Sequence, residues 1–208
     1  MRLRHVKDAD VVINNCSFVI KDYKSNIGNW YKVFGNHHPI HIEIGMGKGD
    51  FIIGMALKYP NINFIGIEKF DSVMVRAIQK IDIPIPNLRY IRMDAKEIEE
   101  VFAKEIDTIY LNFSDPWPKR RHAFRRLTSV DFLKRYDGLF KDKCHIVQKT
   151  DNKDLFAFSI KSFNNYGYII DDLTLDLQQN NYPDNVETEY EKRFKNKGNP
   201  IYMIKVCK

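Results

Sequence analysis

Residues 40–56 read IHIEIGMGKGDFIIGMA, and this stretch decides the fold. The apolar run at 40–44 predicts a strand, and apolar side chains at 51, 52, 55 and 56 share one face of a helix that Pro60 ends. Three glycines, Gly45, Gly47 and Gly49, join the two elements. Glycine permits a tight turn and lets backbone N–H groups approach a ligand closely. The stretch therefore predicts a strand, a ligand-binding turn and a helix in succession.

The chain beyond residue 39 repeats this alternation of strand and helix, which is typical of βαβ units stacked into a mainly parallel sheet. The close of the chain lacks room for a full crossover helix, so we expect the last strand to run antiparallel to its neighbours. We predict an α/β fold with a seven-stranded sheet in a single domain over residues 1–208, in which residues 1–38 form a basic N-terminal extension. The predicted strands are 40–44, 62–67, 88–93, 108–113, 144–149, 166–175 and 200–206, and the predicted helices are 50–59, 71–81, 95–103, 129–140 and 154–163.

Composition favours a soluble, cytoplasmic protein with an anionic partner. The chain has 208 residues, 44% of them hydrophobic, which suits one substantial core. No run approaches the roughly 18 consecutive apolar residues of a membrane span, and the first residues lack the apolar run of a signal peptide. Three scattered cysteines fit reduced thiols. The net charge of +6 favours a polyanionic partner. A first basic group lies at the N-terminus, at Arg2, Arg4, His5 and Lys7.

Acidic residues lie at the carboxyl ends of the first three predicted strands. Glu43 precedes the first glycine, where a carboxylate would repel a pyrophosphate but suits an ammonium group such as the methionyl end of S-adenosylmethionine. Glu68 ends the second strand, where it can accept hydrogen bonds from ribose hydroxyls, and Asp94-Ala95 ends the third strand near the expected adenine. The carboxyl ends of adjacent parallel strands line one crevice, so the set predicts a nucleoside site. Each acid alone could instead cap a helix or lie in solvent.

The loop after the fourth strand reads NFSDPWPKRRH over residues 112–122. Pro116 and Pro118 fix φ and restrict the residues before them, which holds Asp115 at the tip of the strand. At this position Asp115 would face the methyl donor, where a substrate base arrives. Trp117 could stack on that base or could plug the loop onto the core, and the sequence leaves both readings open.

A second basic cluster continues this loop, and no acidic residue interrupts positions 116–130. A run of one charge sign is often just a solvated face. Its uniform sign across fifteen residues favours phosphate binding. The cluster comprises Lys119, Arg120, Arg121, His122, Arg125 and Arg126.

These motifs together resemble the bacterial tRNA (guanine-N7-)-methyltransferase family, and the likeness covers nearly the whole chain. The carrying motifs are the Glu43–Gly49 turn, Glu68, Asp94-Ala95, the block over residues 113–122, Thr150-Asp151 and the segment over residues 188–191. The resemblance implies a class I S-adenosylmethionine-dependent methyltransferase fold of Rossmann-like type, S-adenosylmethionine as cofactor, and tRNA as partner. It also implies that the acceptor is N7 of the guanosine at position 46, in the variable loop.

The family pattern assigns roles position by position. Two departures are minor: Met46 stands where a small or polar residue is commoner, and the N-terminal extension is brief. The cofactor set is Glu43, Gly45, Gly47, Gly49, Glu68, Asp94, Ala95 and Asp115, with Asp115 also the catalytic residue. The substrate set is Lys119, Asp151, Thr188, Glu189, Tyr190 and Glu191, and the RNA contacts are Arg120, Arg121, His122, Arg125 and Arg126.

The chemistry of guanine N7 agrees with these roles. This nitrogen carries a lone pair and no proton at neutral pH, so its attack on a sulfonium methyl needs positioning more than a general base. The product ring is cationic, and Asp115 would stabilise the developing charge. The Watson–Crick edge of guanine presents two hydrogen-bond donors, N1–H and the exocyclic amine. Asp151, Glu189 or Glu191 could accept hydrogen bonds from them.

Other readings of the sequence remain. An adenine-N6 methyltransferase also carries an acid or amide before proline in this loop, but here Trp117 follows a single proline. A pyrimidine methyltransferase would need a cysteine in the loop, and a nicotinamide dehydrogenase would need different glycine spacing. A non-catalytic RNA-binding protein would not need Asp115 in a basic loop. No metal is expected, because the histidines at 37, 38 and 41 share no helical or strand frame. Whether the protein is a monomer or a homo-oligomer stays open.

Overall fold

Seven strands form one sheet in the computed structural model, which describes residues 6–180, 182–183, 185–195 and 198–208. The strand order across the sheet is β3-β2-β1-β4-β5-β7-β6. Strands β1 to β5 pair in parallel, and β7 pairs antiparallel with both β5 and β6. The prediction of a mainly parallel sheet with an antiparallel last strand is therefore confirmed. The strands are β1 Ile40–Ile44, β2 Asn63–Glu68, β3 Leu88–Arg92, β4 Ile106–Asn112, β5 Phe140–Thr150, β6 Ile169–Thr174 and β7 Tyr202–Cys207.

Seven α-helices accompany the sheet in the described part of the chain. Side-chain caps begin two of them: the amide of Phe132 donates to Ser129 Oγ, and that of Leu155 donates to Asn152 Oδ1. No helix among the described residues combines the length and the apolar character needed to cross a membrane. The helices are α1 Ala9–Asn15, α2 Trp30–Phe34, α3 Asp50–Lys58, α4 Asp71–Ile78, α5 Val130–Asp137, α6 Lys153–Asn165 and α7 Glu189–Lys195, and 3-10 turns span Lys24–Asn26, Ala95–Glu100 and Arg120–Arg125.

The two faces of the sheet bury different layers. Ile42 and Ile44 of β1 join a large apolar cluster that also holds Trp30. On the opposite face, the ring of His41 contacts Phe64 of a second apolar cluster. Because side chains alternate along a strand, Glu43 shares this second face with His41. The carboxyl ends of the parallel strands lie along one edge of the sheet. The chain order across the sheet reverses between β1 and β4, and a crevice forms at that point.

The N-terminal region contains structure that the sequence analysis did not predict. Helix α2 buries Trp30 completely, and its indole Nε1 donates to the Val101 carbonyl at 2.9 Å. The carboxylate of Glu105 accepts hydrogen bonds from the amides of Gly28 and Trp30. Residues 9–34 therefore pack on the core. Arg2, Arg4 and His5 of the basic group lie outside the described residues.

Candidate active site

A cleft of about 400 Å³ opens at the carboxyl ends of β1 to β4. The acids from β2 and β3 and the acid of the 114–127 loop converge on it. The residues of the predicted cofactor set that line the cleft are Gly45, Glu68, Asp94, Ala95 and Asp115.

The glycine turn leaves space for a ligand at two of its three glycines. Gly45 has φ +78° and Gly47 has φ +58°, and a Cβ added to either would meet no atom within 4 Å. Gly49 differs, because its added Cβ would lie 2.9 Å from the Cβ of Ala77. The open space at Gly45 and Gly47 is compatible with the approach of a ligand, whereas Gly49 allows α3 to pack closely on α4.

Met46, the departure from the family pattern, is buried, and its sulfur occupies the space where a side chain of Gly66 would begin. The bare Gly66 on β2 therefore makes room for the larger residue. The cleft is lined by Gly45 of this turn and not by Met46. The departure thus leaves the ligand space intact.

Glu68 is held rigidly at the edge of the cleft. Its Oε1 accepts hydrogen bonds from the amides of Lys69 and Phe70 at 2.8 and 3.0 Å, and its Oε2 accepts one from Gly47 at 3.2 Å. Burial raises the pKa of this carboxyl, and the three backbone hydrogen bonds oppose that shift. Glu68 thus joins the end of β2 to the glycine turn.

Asp94 serves a cap and the cleft together. Its Oδ1 accepts a hydrogen bond from the amide of Lys96 at 3.0 Å, which caps the 3-10 turn Ala95–Glu100. The side chain still lines the cleft, beside Ala95. The capping role and the predicted cofactor role are therefore compatible.

Glu43 lies deeper than the cleft wall and is 2% exposed. Its Oε1 accepts a hydrogen bond from Asn112 Nδ2 at 2.8 Å, whereas its Oε2 and the Oδ1 of Asn112 have no hydrogen-bond partner among the described residues. Burial is the main cause that raises the pKa of Glu43 to about 8. An ammonium group that reached these atoms would favour the ionised form of Glu43 and could bond both oxygens, which fits the chemistry predicted for the methionyl end of S-adenosylmethionine.

The loop after β4 is strained. Phe113 has φ +49° and Trp117 has φ +43°, in a left-handed region that bulky side chains rarely adopt. The amide of Phe113 donates to the Lys149 carbonyl at 2.8 Å, which fixes one end of the loop. Between them, Asp115 is exposed and lines the cleft. Strain of this kind clusters at functional sites, and here it aims a carboxylate at the cleft.

Trp117 borders the cleft, which favours a role at the site over the plug that the sequence left open. The ring is half-buried, and the guanidinium carbon of Arg125 lies 5.0 Å from its centroid. The ring of His122 meets it edge-on at 5.9 Å. Both Trp117 and Arg125 line the cleft.

The predicted RNA-contact arginines divide into distinct environments. Arg120 and Arg121 are exposed at the start of the 3-10 turn. Arg126 instead donates from Nε to the Pro116 carbonyl at 2.9 Å and from Nη2 to the Trp117 carbonyl at 3.1 Å. We therefore assign Arg126 to holding the strained loop, whereas the side chains of Arg120 and Arg121 are exposed to solvent.

The predicted substrate segment forms a reciprocal cap at the start of α7. The amide of Thr188 donates to Glu191 Oε2 at 2.8 Å, and the amide of Glu191 donates to Thr188 Oγ1 at 2.9 Å. Glu191 is 3% exposed, and its Oε1 accepts from Asn185 Nδ2 at 3.2 Å. Both oxygens of Glu191 therefore bond within the protein, and these contacts hold the segment in place.

The other predicted substrate residues lie nearer the surface. The Tyr190 ring packs on Phe113 with centroids 4.7 Å apart, and its hydroxyl is 3.5 Å from Asp151 Oδ2. Glu189 is exposed and forms a 2.5 Å ion pair with Lys48 of the glycine turn. These contacts bring the segment next to the cleft residue Phe113. Lys119 is exposed at the start of the basic 3-10 turn.

The histidines at 37, 38 and 41 do not line the cleft. The His41 ring nitrogen lies 3.2 Å from the Tyr110 hydroxyl, and burial lowers its pKa to about 4. His37 stacks on Tyr31 with ring centroids 4.6 Å apart. Over the described ranges, no three His, Cys, Asp or Glu side chains gather in a way that could hold a metal ion.

Comparison with known proteins gives the family. The model of a family described as a putative methyltransferase matches residues 37–204. A tRNA (guanine-N(7)-)-methyltransferase of Lachnoclostridium phytofermentans is 49% identical over 207 residues, which is 98% of this chain and 97% of that protein. One of the same name from Bacillus licheniformis is 48% identical over the same shares. The chain belongs to the tRNA (guanine-N7-)-methyltransferase family.

Solved structures of more distant methyltransferases share the fold. An antibiotic-related methyltransferase aligns with a TM-score of 0.66 at 20% identity, covering 91% of this chain and 95% of the other. The 16S rRNA methyltransferase KamB aligns with a TM-score of 0.63 at 11% identity, over 86% and 92%. The class I methyltransferase fold is thereby confirmed. The cofactor of this family member is S-adenosylmethionine, and the open glycines and unpartnered acceptors of the cleft region fit it.

Two residues of this region escaped the sequence analysis. Asn112 ends β4 and bonds Glu43, and Lys149 lies near the end of β5 among buried partners. Asn112 directly precedes the loop motif, so its place at a strand end was a usable signal. Lys149 had no signal, because a lysine in a strand is ordinarily exposed.

Proposed function

We propose that the protein transfers the methyl group of S-adenosylmethionine to N7 of the variable-loop guanosine of tRNA, in the cytoplasm. The observation that carries this is the strained loop, which brings Asp115, Trp117 and Arg125 to the cleft beside the glycine turn. The relatives are named tRNA (guanine-N(7)-)-methyltransferases, and this chain aligns with nearly their full length. The exposed Arg120 and Arg121 on the same loop supply charges suited to a polyanionic substrate.

The cleft residues divide into holding and reacting groups. Gly45, Glu68, Asp94 and Ala95 of the cleft, together with Gly47 of the adjoining glycine turn, would hold the nucleoside part of the cofactor, which supplies an electrophilic methyl group when bound. Because N7 has no proton to lose, the site needs no general base. Its tasks are to orient the base and to offset the charge that forms on the ring.

Asp115 provides the charge. Its carboxylate stands at the edge of the cleft on a backbone held by Arg126. A fixed carboxylate beside a ring that becomes cationic lowers the barrier without reorganising at the moment of reaction. Trp117 offers a flat surface beside it on which a base can stack, with an unstacking cost of a few kcal/mol to extrude the base from folded RNA.

Selection of guanine would rest on Asp151 and Glu189. When ionised, both carboxylates can only accept hydrogen bonds, and the guanine edge presents N1–H and an amine as donors. Adenine presents an acceptor at N1 and would face two carboxylates there. Glu191, whose oxygens are occupied within the protein, supports this pair without contacting the base.

The test of the proposed function is direct. The full chain is incubated with methyl-labelled S-adenosylmethionine and unmodified tRNA transcripts, and the tRNA is digested to nucleosides. We expect the label in 7-methylguanosine from the variable loop, and none with a transcript whose variable-loop guanosine is replaced by adenosine. Label in a methyladenosine would overturn the proposal in favour of adenine chemistry, and a protein that binds tRNA without transferring label would be an RNA-binding module.

The arginine environments predict separable effects on RNA binding. Replacing Arg120 and Arg121 with alanine should weaken tRNA binding and lower the log–log salt slope by about 0.7 to 0.9 for each phosphate that is no longer neutralised. Arg126→Ala should leave the slope nearer wild type and slow the single-turnover rate, because its guanidinium holds the Pro116 and Trp117 carbonyls. Filter binding at several salt concentrations measures the slopes.

A matched control corrects for net charge. Lys141 and Lys143 are exposed at the amino end of β5, away from the cleft. Their double alanine variant removes the same two charges and should keep the wild-type slope. An equal drop in this control would show that the slope reports overall charge and not a basic loop that grips RNA.

A further inference from the structure

Lys149 is a buried cation on β5 that the proposed chemistry does not use. It is 4% exposed, and its Nζ donates to Asn185 Oδ1, to the Val186 carbonyl at 3.2 Å and to Glu191 Oε2 at 3.3 Å. Every partner of these hydrogen bonds belongs to the segment over residues 185–191. The ammonium also lies 4.9 Å from the Phe51 ring centroid, on the face of α3. One side chain therefore ties the segment to the sheet.

The burial of this charge is balanced by its partners. Desolvation lowers the pKa of Lys149, and Glu191 is the main group that opposes that shift. An ammonium has three donors, and the three partner residues of the segment can use all of them. A buried ion pair is weak evidence for stability, and in some proteins such a pair specifies one conformation instead. Such a group is therefore expected to specify where the segment lies.

Helix α3 is shaped to receive the same segment. A Cβ added to Gly54 would lie 2.6 Å from Val186 Cγ1, so the segment packs against the bare backbone of the helix. Glycine in the middle of a helix is unfavourable, and its presence here allows Val186 to pack closely against the helix backbone. Gly54 and Lys149 thus hold adjacent residues of the segment from two different elements.

The segment packs against Phe113, which lines the cleft. Glu191 caps α7 with Thr188, and Tyr190 packs on Phe113 and reaches Asp151. Lys149 meets this arrangement from its other end as well, because its carbonyl accepts the amide of Phe113 at 2.8 Å. Lys149 therefore bonds the segment 185–191 through its side chain and the start of the loop after β4 through its backbone.

We propose that Lys149 is a positioning residue for methyl transfer, whose ammonium seats the segment 185–191 so that Tyr190, Glu189 and Asp151 stand in fixed relation to the strained loop. The inference rests on the proposed function for its kinetic consequence. Lys149 itself does not line the cleft. Loss of the ammonium is expected to displace the segment 185–191, whereas the glycine turn and Glu68 should keep their positions.

The test compares Lys149→Met with a charge-balanced double variant. Lys149→Met alone leaves Glu191 as an unpaired buried carboxylate, which is expected to destabilise the protein. In Lys149→Met/Glu191→Gln the buried charge is gone, and glutamine at this position can still cap Thr188. Thermal melting should therefore recover towards wild type. The single-turnover rate should stay about 10²-fold low, the scale of a misplaced substrate, while cofactor affinity stays within about twofold of wild type.

Gly54→Ala tests the seat without touching a charge. Alanine is the better helix former, so α3 is retained, but the added methyl must displace Val186. The variant should show the same slow rate with normal cofactor affinity. Gly138→Ala is the matched control, because a Cβ there meets nothing within 4 Å, and it should behave as wild type.

The outcomes separate this inference from the proposed function. Amide hydrogen exchange of Thr188 and Glu191 should speed up in Lys149→Met/Glu191→Gln and in Gly54→Ala, whatever the substrate is. Recovery of rate together with stability in the double variant, or unchanged exchange, would show that Lys149 serves stability alone. If wild-type protein failed to methylate tRNA, the proposed function would fall, and the exchange measurement alone would decide the position of the segment.

Discussion

Asp115→Asn is expected to slow single-turnover methylation of tRNA by roughly 10²-fold or more, the scale of removing one preorganised electrostatic group. The change keeps the size of the side chain and removes its charge. Asp115 is exposed at the cleft edge, so the neutral amide should fit without disturbing the loop. Rapid-quench measurement at saturating cofactor and enzyme isolates the chemical step from product release.

Cofactor affinity separates this role from binding. If Asp115 acts on charge that develops during transfer, cofactor affinity should change much less than the rate. Asp142→Asn is the matched control, because Asp142 is exposed near the amino end of β5, away from the cleft at the carboxyl ends of the strands. A wild-type rate in Asp115→Asn would show that positioning alone accounts for catalysis at this site.

The sequence could predict the fold where the pattern is local. Strand β1 has the predicted bounds, and α3 ends one residue before its predicted end, because an apolar run, a glycine turn and Pro60 lie close together in the chain. The antiparallel β7 followed from the shortage of chain for a crossover. The short helices α1 and α2 were missed, since five to seven residues show too little period to be read.

The roles within the site depend on contacts that sequence does not show. Glu191 and Arg126 carry charges typical of substrate-binding residues, yet each bonds groups of its own protein. Lys149 seemed an ordinary strand lysine and is buried among partners about 40 residues away in the chain. Motif reading thus finds the region, and only tertiary contacts divide it into residues that meet a ligand and residues that hold those in place.

Gly47→Val should weaken S-adenosylmethionine binding by at least about 10²-fold. Gly47 has φ +58°, where a β-branched residue is strained by about 1–2 kcal/mol, so the turn is expected to shift. Its amide also donates to Glu68 Oε2, and a shifted turn would release the carboxylate placed for the ribose. The new side chain would further occupy space that is open beside the cleft. Isothermal titration calorimetry measures the affinity.

The control must separate ligand space from backbone strain. Gly28 has φ +72° and open space around its Cα, and it lies in the N-terminal region away from the cleft. Gly28→Val therefore imposes comparable strain, and it should lower the melting temperature while leaving cofactor affinity at wild type. If Gly47→Val bound the cofactor as tightly as wild type, the ligand could not approach this glycine. Equal losses in both variants would mean that strain spreads through the fold. A loss confined to Gly47→Val places the cofactor against the turn between β1 and α3.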